Sequence, residues 1–403
     1  MQNNQETLLK VENLCQYFRM GNAVTKAVDN VSFEIKKGEV FGLVGESGCG
    51  KTTTGRSIIK LYNITAGNVI FKGIRVAAGK QGYQDAIANA KVEYAERMKA
   101  EPERASELKA ELAAFIAEQR QEIKKAVHDQ KRCDKEYSKV LQAEVNEKYQ
   151  AKLAAASEEE KPALQKEYKN ELRKAKHTKL VTQIQMIFQD PIASLDPRMT
   201  VKEIISEGLV IQGERDKKVI DQKVYEMLEL VGLVREHASR YPHEFSGGQR
   251  QRIGVARSII MNPELIIADE PVSALDVSVQ AQVINLLNEL REKFGLTILF
   301  IAHDLSVVKY FSDRIGVMYF GKMVELADAD ELFRNPMHPY TRSLLSAIPL
   351  PDPIYERTRQ RITYNPLASH DYSVDKPSFR EIAPGHFVMC NDAEFAQYQR
   401  ELK

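Results

Sequence analysis

Residues 45–52 read Gly-Glu-Ser-Gly-Cys-Gly-Lys-Thr, a glycine-rich loop with the spacing G-x-x-x-x-G-K-T. The apolar run 40–44 before the loop is rich in strand formers, and residues 53–60 after it can continue as a helix. In a strand–loop–helix unit, glycines let backbone N–H groups and the helix N-terminus converge on phosphate oxygens. Lys51 would then reach the β- and γ-phosphates, and the Thr52 hydroxyl would bind Mg²⁺. A chance glycine-rich turn is the alternative, and the paired lysine and threonine disfavour it.

The residues of this phosphate loop that are predicted to contact a nucleotide are Gly45, Glu46, Ser47, Gly48, Cys49, Gly50, Lys51, Thr52 and Thr53.

Length, charge and cysteine content limit the class of protein. The chain has 403 residues, which allows two or three domains, and its net charge of +1 gives no general electrostatic argument for nucleic acid or an anionic membrane. Its four cysteines form no C-x-x-C pair, which is typical of a reduced, cytosolic protein without a zinc site. We recognise no signal peptide and no apolar run of membrane-spanning length. Membrane association is therefore expected only through a partner.

A compositionally distinct segment occupies residues 79–177. Ala, Glu, Lys, Gln and Arg dominate it and favour helix, whereas Pro102 and Pro162 mark places where helices begin or break. Apolar residues at spacings of three and four form a narrow stripe, which comprises Leu108, Leu112, Phe115, Ile116, Ile123 and Val127. We predict two or three long helices in an antiparallel coiled-coil hairpin that packs on itself rather than on the core. The hairpin is either a solvated protrusion or a contact surface for a partner.

Two apolar runs end in polar side chains that suit a nucleotide site. Residues 265–268 lead into Asp269 and Glu270, and residues 297–302 end at His303. A carboxylate at the C-terminal end of a buried strand is where an α/β nucleotide site holds Mg²⁺. We therefore predict that Asp269 binds the metal. A lone histidine is more often structural, but this one closes a strand at the same edge of the sheet, so we predict a γ-phosphate contact.

Two further features are ambiguous when they are taken alone. Tyr17 and Phe18 lie between two predicted strands, and either ring could stack on an adenine or pack in the core. The run 246–249, Ser-Gly-Gly-Gln, opens a predicted helix and offers a second anion-binding geometry, which alone is a weak signal.

Taken in order, these motifs resemble those of the nucleotide-binding subunit of ABC transporters. The resemblance covers the whole chain except residues 79–177. The motifs that carry it are the phosphate loop, Gln189, the Ser-Gly-Gly-Gln run, the strand ending at Asp269 and Glu270, the Ser-Ala-Leu-Asp run at 273–276, and His303.

The resemblance implies a role for each position around the nucleotide. Phe18, with Tyr17 as second choice, would stack on adenine. Gln189 would lie near Mg²⁺ and the attacking water, and Glu270 would polarise that water. The implied metal ligands are Thr52, Gln189 and Asp269. The implied catalytic residues are Lys51, Gln189, Glu270 and His303.

The resemblance also implies that one chain supplies only half of each nucleotide site. Ser246, Gly247 and Gly248, with Gln249 beside them, would close on the γ-phosphate bound by a facing subunit. The loop at Asp276 would run across the interface between the two subunits.

The implied fold is α/β: a P-loop ABC ATPase cassette with a mixed sheet core, an antiparallel β subdomain and a helical subdomain. To this the chain adds the inserted antiparallel coiled-coil hairpin and a small C-terminal extension. The predicted division is 1–78 for the first part of the cassette, 79–177 for the insertion, 178–328 for the second part and 329–403 for the extension.

Other runs are similar to the dipeptide and oligopeptide importers of that family. They are Phe188-Gln189-Asp190-Pro191, Ser194-Leu195-Asp196-Pro197-Arg198, and Asn335-Pro336-Met337-His338-Pro339-Tyr340-Thr341. This resemblance implies ATP hydrolysis with Mg²⁺ that powers peptide import. The implied partners are a second ATPase subunit in a heterodimer, two transmembrane permeases and an extracytoplasmic solute-binding protein, with no nucleic acid. The chain would be peripheral at the cytoplasmic face of the membrane.

Two alternatives remain open at this point. Related importers move nickel or other small solutes. An SMC-like chromosome ATPase also joins such a cassette to a coiled coil, but there the coil follows the glutamine loop and is far longer. Some sister subunits carry a cysteine cluster for iron–sulphur after the extension, whereas only Cys390 lies there in this chain, so no cluster is expected.

Overall fold

The computed structural model describes residues 6–21, 23–157, 159–348 and 361–402. The strands are β1 (Thr7–Met20), β2 (Ala23–Lys36), β3 (Val40–Val44), β4 (Ala66–Phe71), β5 (Ile74–Ala78), β6 (Ile184–Ile187), β7 (Leu265–Asp269), β8 (Thr297–Ala302), β9 (Arg314–Tyr319), β10 (Lys322–Asp328), β11 (Ser378–Ala383) and β12 (His386–Cys390).

The α-helices are α1 (Lys51–Ile58), α2 (Gln81–Ala100), α3 (Ala105–Ala155), α4 (Lys161–His177), α5 (Val201–Ile211), α6 (Lys217–Leu230), α7 (Gly247–Ile259), α8 (Val277–Phe294), α9 (Leu305–Phe311), α10 (Ala329–Arg334), α11 (Pro339–Ser346), α12 (Pro366–Ser369) and α13 (Asp392–Glu401). No helix in the described ranges is long and apolar enough to cross a membrane.

The larger sheet has eight strands in the order β11-β12-β10-β9-β3-β8-β7-β6. Strands β6, β7, β8, β3 and β9 run parallel, whereas β9, β10, β12 and β11 pair antiparallel. The sheet is therefore mixed, as the resemblance implies, and β3 brings the phosphate loop to its middle.

The central strands are buried on both faces, which explains why they read as unbroken apolar runs. Side chains alternate between the two faces of a strand. Val40 and Val44 of β3 pack with the helices α5–α9 on one face. Phe41 and Leu43 of the same strand pack with the smaller sheet on the other face.

The smaller sheet is antiparallel, with the order β2-β1-β4-β5. Leu9, Ile35 and Phe71 from its inner face are fully buried against the larger sheet. The predicted antiparallel subdomain is confirmed, although β1 runs on to Met20 and β5 is an additional strand.

Helices α5 and α6 begin the predicted helical subdomain between β6 and β7. The Thr200 side chain accepts the Glu203 N–H in a capping box at the start of α5, and Asp216 caps α6. The strand predicted over 181–189 is shorter than expected, because Leu180–Gln183 forms a 3-10 turn and β6 ends at Ile187.

The insertion consists of three helices around the 51-residue helix α3. A short turn over 101–104 reverses the chain, and α2 packs on the first part of α3. The last part of α3 packs antiparallel with α4: the Tyr168 hydroxyl donates to Asn146 Oδ1 and the Ser138 hydroxyl to the Lys176 carbonyl. We call the α2–α3 pair the first arm and the α3–α4 pair the second arm.

The prediction that the insertion packs only on itself is wrong. Cys133 and Tyr137, in the middle of α3, are buried in the cassette core, and Tyr137 is 2% exposed. Asp134 accepts the Leu180 N–H at 3.0 Å, and Asp129 forms an ion pair with Arg75 of β5. The stripe read from the sequence did not reveal this contact, because only the middle of the helix, residues 129–141, makes it.

The C-terminal segment is also more than a small appended region. Strands β11 and β12 extend the larger sheet beyond β10, with Val388 opposite Glu325 and Phe387 opposite Leu326. Part of the predicted extension, residues 349–360 and 403, lies outside the described residues. The domain boundaries given above remain a prediction.

Candidate functional site

The phosphate loop connects β3 to α1 and has a backbone that only glycine adopts easily. Gly45 and Gly50 have φ angles of 150° and 106°. A Cβ on Gly45 would lie 2.2 Å from the Met318 carbonyl oxygen, and one on Gly50 would lie 2.2 Å from that of Ala27. The loop is therefore held tightly between β9 and β2, and its glycines are required by both conformation and space.

Lys51 is 3% exposed and reaches back across the loop. Its Nζ donates to the carbonyl oxygens of Gly45 at 2.7 Å and Glu46 at 3.0 Å. Among the described residues no carboxylate forms an ion pair with this amine, so its charge is available to an anion placed in the loop.

Thr52 and Asp269 meet although they are 217 residues apart, since the Thr52 hydroxyl donates to Asp269 Oδ1 at 2.7 Å. Asp269 is fully buried, and its Oδ2 has no hydrogen-bond partner. Burial raises the pKa of Asp269, opposed by the Thr52 hydrogen bond. An orphaned carboxylate oxygen beside a hydroxyl is a donor set that fits a hard divalent cation.

Glu270 is the centre of a second group of side chains. Its Oε2 accepts the Gln189 Nε2–H at 2.9 Å and lies 3.2 Å from His303 Nδ1. The backbone φ of 44° is unusual for a residue with a side chain, and the Glu270 N–H donates to the Ile301 carbonyl at 2.9 Å. The Glu270 side chain is 12% exposed and that of His303 is 54% exposed, so the carboxylate lies just below the surface.

A small open pocket of about 50 Å³ borders this group. Glu270, Ser273 and His303 are among its lining residues. It has room for little more than water, which suits a carboxylate that accepts a proton from a water molecule.

The two aromatic candidates differ in their surroundings. The Tyr17 hydroxyl donates to Asp29 Oδ1, and Lys26 lies over the Tyr17 ring. Phe18 is half-buried and makes an edge contact with Tyr62 at 5.3 Å between ring centroids. Tyr17 is thus engaged in polar contacts, whereas the contact described for the Phe18 ring is with another aromatic ring.

The Ser-Gly-Gly-Gln run caps α7 and, in the described chain, makes no hydrogen bond to the phosphate loop. The Ser246 hydroxyl accepts the Gln249 N–H, and Gln249 Oε1 accepts the Ser246 N–H. A Cβ on Gly248 would lie 2.5 Å from Val279 of α8, which begins directly after Asp276. Within one chain, the run and the Asp276 loop are therefore packed beside each other and not on the Lys51 amine.

Reasoning from the sequence missed the contact between the C-terminal segment and the phosphate loop. The Tyr340 hydroxyl accepts the Glu46 N–H at 3.0 Å. Tyr340 lies in the run 335–341, which the sequence marks as similar to importers but which carries no local sign of this contact.

The chain matches a family model described as "ABC transporter" over residues 28–156 and 153–273. The chain belongs to the ABC transporter family, as an ATPase subunit. A second model, "Oligopeptide/dipeptide transporter, C-terminal region", matches residues 324–374. The predicted family and subfamily are confirmed.

Characterised relatives match along almost the whole chain. The oligopeptide transport ATP-binding protein OppF of Bacillus subtilis (strain 168) is 48% identical over 394 residues, covering 98% of this chain and 99% of that protein. The oligopeptide transport ATP-binding protein AmiF of Streptococcus pneumoniae serotype 4 is 42% identical over 401 residues, with 98% and 99% covered. The dipeptide transport ATP-binding protein DppF of Lactococcus lactis subsp. cremoris is 41% identical over 397 residues, with 98% and 97% covered.

Solved structures support the fold. A dimeric ATP-binding cassette in a post-hydrolysis state bound to ADP and phosphate has 22% identity and a TM-score of 0.51, covering 80% of this chain and 99% of that chain. The protein cbiO1 from Clostridium perfringens, part of the ABC transporter complex cbiONQ, has 19% identity and a TM-score of 0.51, covering 82% of this chain and 92% of that chain. The α/β cassette prediction is confirmed.

Proposed function

We propose that this chain is the ATP-hydrolysing subunit of a membrane importer of dipeptides or oligopeptides. The observation that carries the proposal is the hydrogen bond between Thr52 of the phosphate loop and Asp269, which brings the loop to the end of the strand that Glu270 follows. The full-length relatives named above are oligopeptide and dipeptide transport ATP-binding proteins, which supports peptides over nickel and transport over a chromosomal role.

ATP would be held mainly through its phosphates. The loop amides and the Lys51 amine face the negative charge that grows on the phosphoryl oxygens, and Phe18 would stack on the adenine. Thr52 and Asp269, with Gln189 nearby, would hold Mg²⁺, which supplies charge neutralisation for the β- and γ-phosphates when it is bound.

Glu270 would orient and polarise the attacking water. Gln189 and His303 both lie within hydrogen-bond distance of its carboxylate, so they hold it in one direction. The His303 side chain is more exposed than that of Glu270, which suits a contact to the γ-phosphate.

One chain would supply only half of each site. Since the Ser246–Gln249 run makes no hydrogen bond to the phosphate loop of its own described chain, it would close on ATP bound by a second ATPase subunit. Asp276 would lie at that interface. ATP would join the two subunits, and hydrolysis would let them separate.

The proposed complex contains a second ATPase subunit in a heterodimer, two transmembrane permeases and an extracytoplasmic solute-binding protein. This chain would sit at the cytoplasmic face of the membrane, with the Gln189 loop towards the permeases. Opening and closing of the ATPase pair would then drive the permeases.

Peptide uptake by the reconstituted complex tests the proposal. Proteoliposomes that contain the two ATPases, the permeases and the binding protein should accumulate a labelled oligopeptide only with Mg-ATP. Lys51→Ala should abolish ATP turnover by this subunit and reduce uptake. Uptake at the wild-type rate with Lys51→Ala, or uptake of nickel and not of peptide, would contradict it.

A further inference from the structure

The buried tyrosine of the C-terminal segment touches the phosphate loop directly. Tyr340, in the first turn of α11, is 1% exposed, and its hydroxyl accepts the N–H of Glu46 at 3.0 Å. Glu46 itself is exposed and is the second residue of the loop. This hydrogen bond therefore joins an exposed residue of the glycine-rich loop to a fully buried side chain.

Other contacts limit where the Tyr340 ring can lie. It packs against Tyr319 of β9 at 4.4 Å between centroids and against Tyr364 at 5.5 Å. Burial raises the pKa of the Tyr340 hydroxyl, so it stays protonated at neutral pH.

The backbone before Tyr340 is anchored in the larger sheet. The fully buried Glu325 carboxylate of β10 accepts the N–H groups of Met337 at 2.8 Å and His338 at 3.0 Å. His338 Nδ1 in turn accepts the Tyr340 N–H at 3.1 Å. A chain of buried hydrogen bonds thus runs from the sheet through 337–338 to Tyr340.

The remaining side of the loop is braced by the β9–β10 turn. The Gly321 N–H donates to the Cys49 carbonyl at 2.9 Å. Glu46 and Cys49 therefore each form a backbone hydrogen bond with a residue outside the loop. For Glu46 that residue is Tyr340, through its hydroxyl.

We propose that Tyr340 is a positioning residue for nucleotide binding: by accepting the Glu46 N–H, it keeps the phosphate loop in its binding conformation. The proposal deepens the function proposed above and rests on ATP binding at this loop. It assigns a role to the run 335–341, which is to connect the C-terminal segment with the nucleotide site. A loop held in its bound conformation loses less conformational entropy when the phosphates bind.

The expected effect is on affinity more than on the chemical step. The loop amides contact phosphates in both the ground state and the transition state, so ordering the loop favours both equally. Loss of one neutral hydrogen bond should weaken the binding of Mg-ATP and Mg-ADP by about three- to tenfold.

The test uses the full chain and Tyr340→Phe, which keeps the ring and removes the hydroxyl. Tyr364→Phe is the matched control. It removes a hydroxyl from the same aromatic cluster, and the structure describes no contact between that hydroxyl and the loop. Dissociation constants for Mg-ATP and Mg-ADP are measured by displacement of a fluorescent ATP analogue, and the melting temperature is measured without nucleotide. We expect weaker binding only in Tyr340→Phe, with melting temperatures of both variants within about 2 °C of wild type.

Kinetics of the complex separate positioning from a purely structural role. In the reconstituted complex, Tyr340→Phe should raise KM for ATP and leave kcat within about twofold.

Several outcomes would overturn the proposal: wild-type affinity in Tyr340→Phe, equal losses in Tyr364→Phe, or a fall in kcat at unchanged KM. Lys51→Ala is measured in parallel. Wild-type nucleotide affinity in Lys51→Ala would instead contradict the proposed function itself, so the two failures can be told apart.

Discussion

The energetic contribution of the Asp269 side chain depends on the partners of its two carboxylate oxygens. One carboxylate oxygen is satisfied by Thr52, and the other is buried without a partner. Such an atom is costly in an empty site and favourable beside a cation, because an unpaired buried charge loses its hydration without compensation.

We therefore expect Asp269→Asn to remove the effect of Mg²⁺ on ATP binding. Wild type should bind ATP at least about tenfold more tightly with Mg²⁺ than with EDTA, and the variant should show a ratio near one. The nucleotide-free variant should melt no lower than wild type. The control is Asp276→Asn, which lies outside the proposed metal site and should keep the wild-type ratio; an unchanged ratio in Asp269→Asn would remove Asp269 from that site.

His338 predicts a pH dependence of folding. Burial, and then the charge of nearby His370, lower the pKa of His338 from 6.5 to about 3. The unfolded chain binds this proton more readily, so the stability that the neutral ring contributes is complete above about pH 6.5 and is lost as the pH falls towards 3. At pH 5 the loss is about 2 kcal/mol, since each pKa unit corresponds to about 1.4 kcal/mol.

His338→Asn isolates this contribution, because an asparagine oxygen can still cap α11 without titrating in this range. Urea unfolding followed by circular dichroism at pH 7 and pH 5 gives the two free energies of unfolding. The fall between pH 7 and pH 5 should be smaller in the variant by about 2 kcal/mol. Glu325 and Glu394 lie close to His338 and His370 and are present in both proteins, so their titration does not distinguish the two. An equal fall in wild type and His338→Asn would show that His338 is not the source of the pH dependence.

At the scale of elements, α3 both protrudes from the cassette and forms part of its core. Tyr137 and Tyr149 are equally buried on this helix, but Tyr137 packs in the cassette core and Tyr149 packs on Tyr168 of the second arm. The same substitution at the two positions should therefore have different consequences.

We expect Tyr137→Ala to lower the free energy of unfolding of the cassette by about 3–5 kcal/mol, the range for removing a large buried side chain. Tyr149→Ala should loosen the second arm and leave the main unfolding transition and Mg-ATP affinity nearly unchanged. Nucleotide-dependent melting reports the cassette, and hydrogen exchange reports the arm.

We expect that neither the first arm nor the second arm is needed for nucleotide binding. Replacing residues 91–114, or residues 148–166, with a short Gly/Ser loop leaves the docked middle of α3 in place, so ATP affinity should stay within about twofold of wild type. Replacing all of 79–177 removes Tyr137 and Cys133 from the core and should destabilise the chain. Equal behaviour of all three variants would contradict this division.

At the scale of the whole molecule, the proposed sandwich needs a second ATPase subunit. Glu270→Gln keeps the shape of the side chain but removes the base, so ATP should bind and not be hydrolysed. With its partner ATPase and Mg-ATP, this variant should elute from a sizing column as a lasting dimer of the two chains. Ser246→Arg added to Glu270→Gln places a large side chain on the surface that would face the partner's ATP, so this double variant should not form the dimer. If Glu270→Gln alone also forms no dimer, the proposed sandwich does not apply to this chain.

Much of the site could be predicted from the sequence because its parts are local. The phosphate loop, the strand end at Asp269 and Glu270, and the cap at Ser246 are each set by a few consecutive residues. The spacing of these motifs, and the apolar strands that lead into the phosphate loop and into Asp269, can be recognised from the sequence alone. The resemblance to the family rests on these motifs, the mixed sheet is what that resemblance implies, and the helical insertion follows from composition.

The tertiary structure alone decided how distant segments meet. That Tyr137 enters the core, that β11 and β12 join the larger sheet, and that Tyr340 reaches Glu46 all depend on contacts between residues far apart in the chain. A buried tyrosine in an amphipathic helix and a tyrosine at the start of a short helix look like ordinary packing residues in sequence. Their partners are selected by the fold, because burial and hydrogen bonding are satisfied only when the assembled surfaces are complementary.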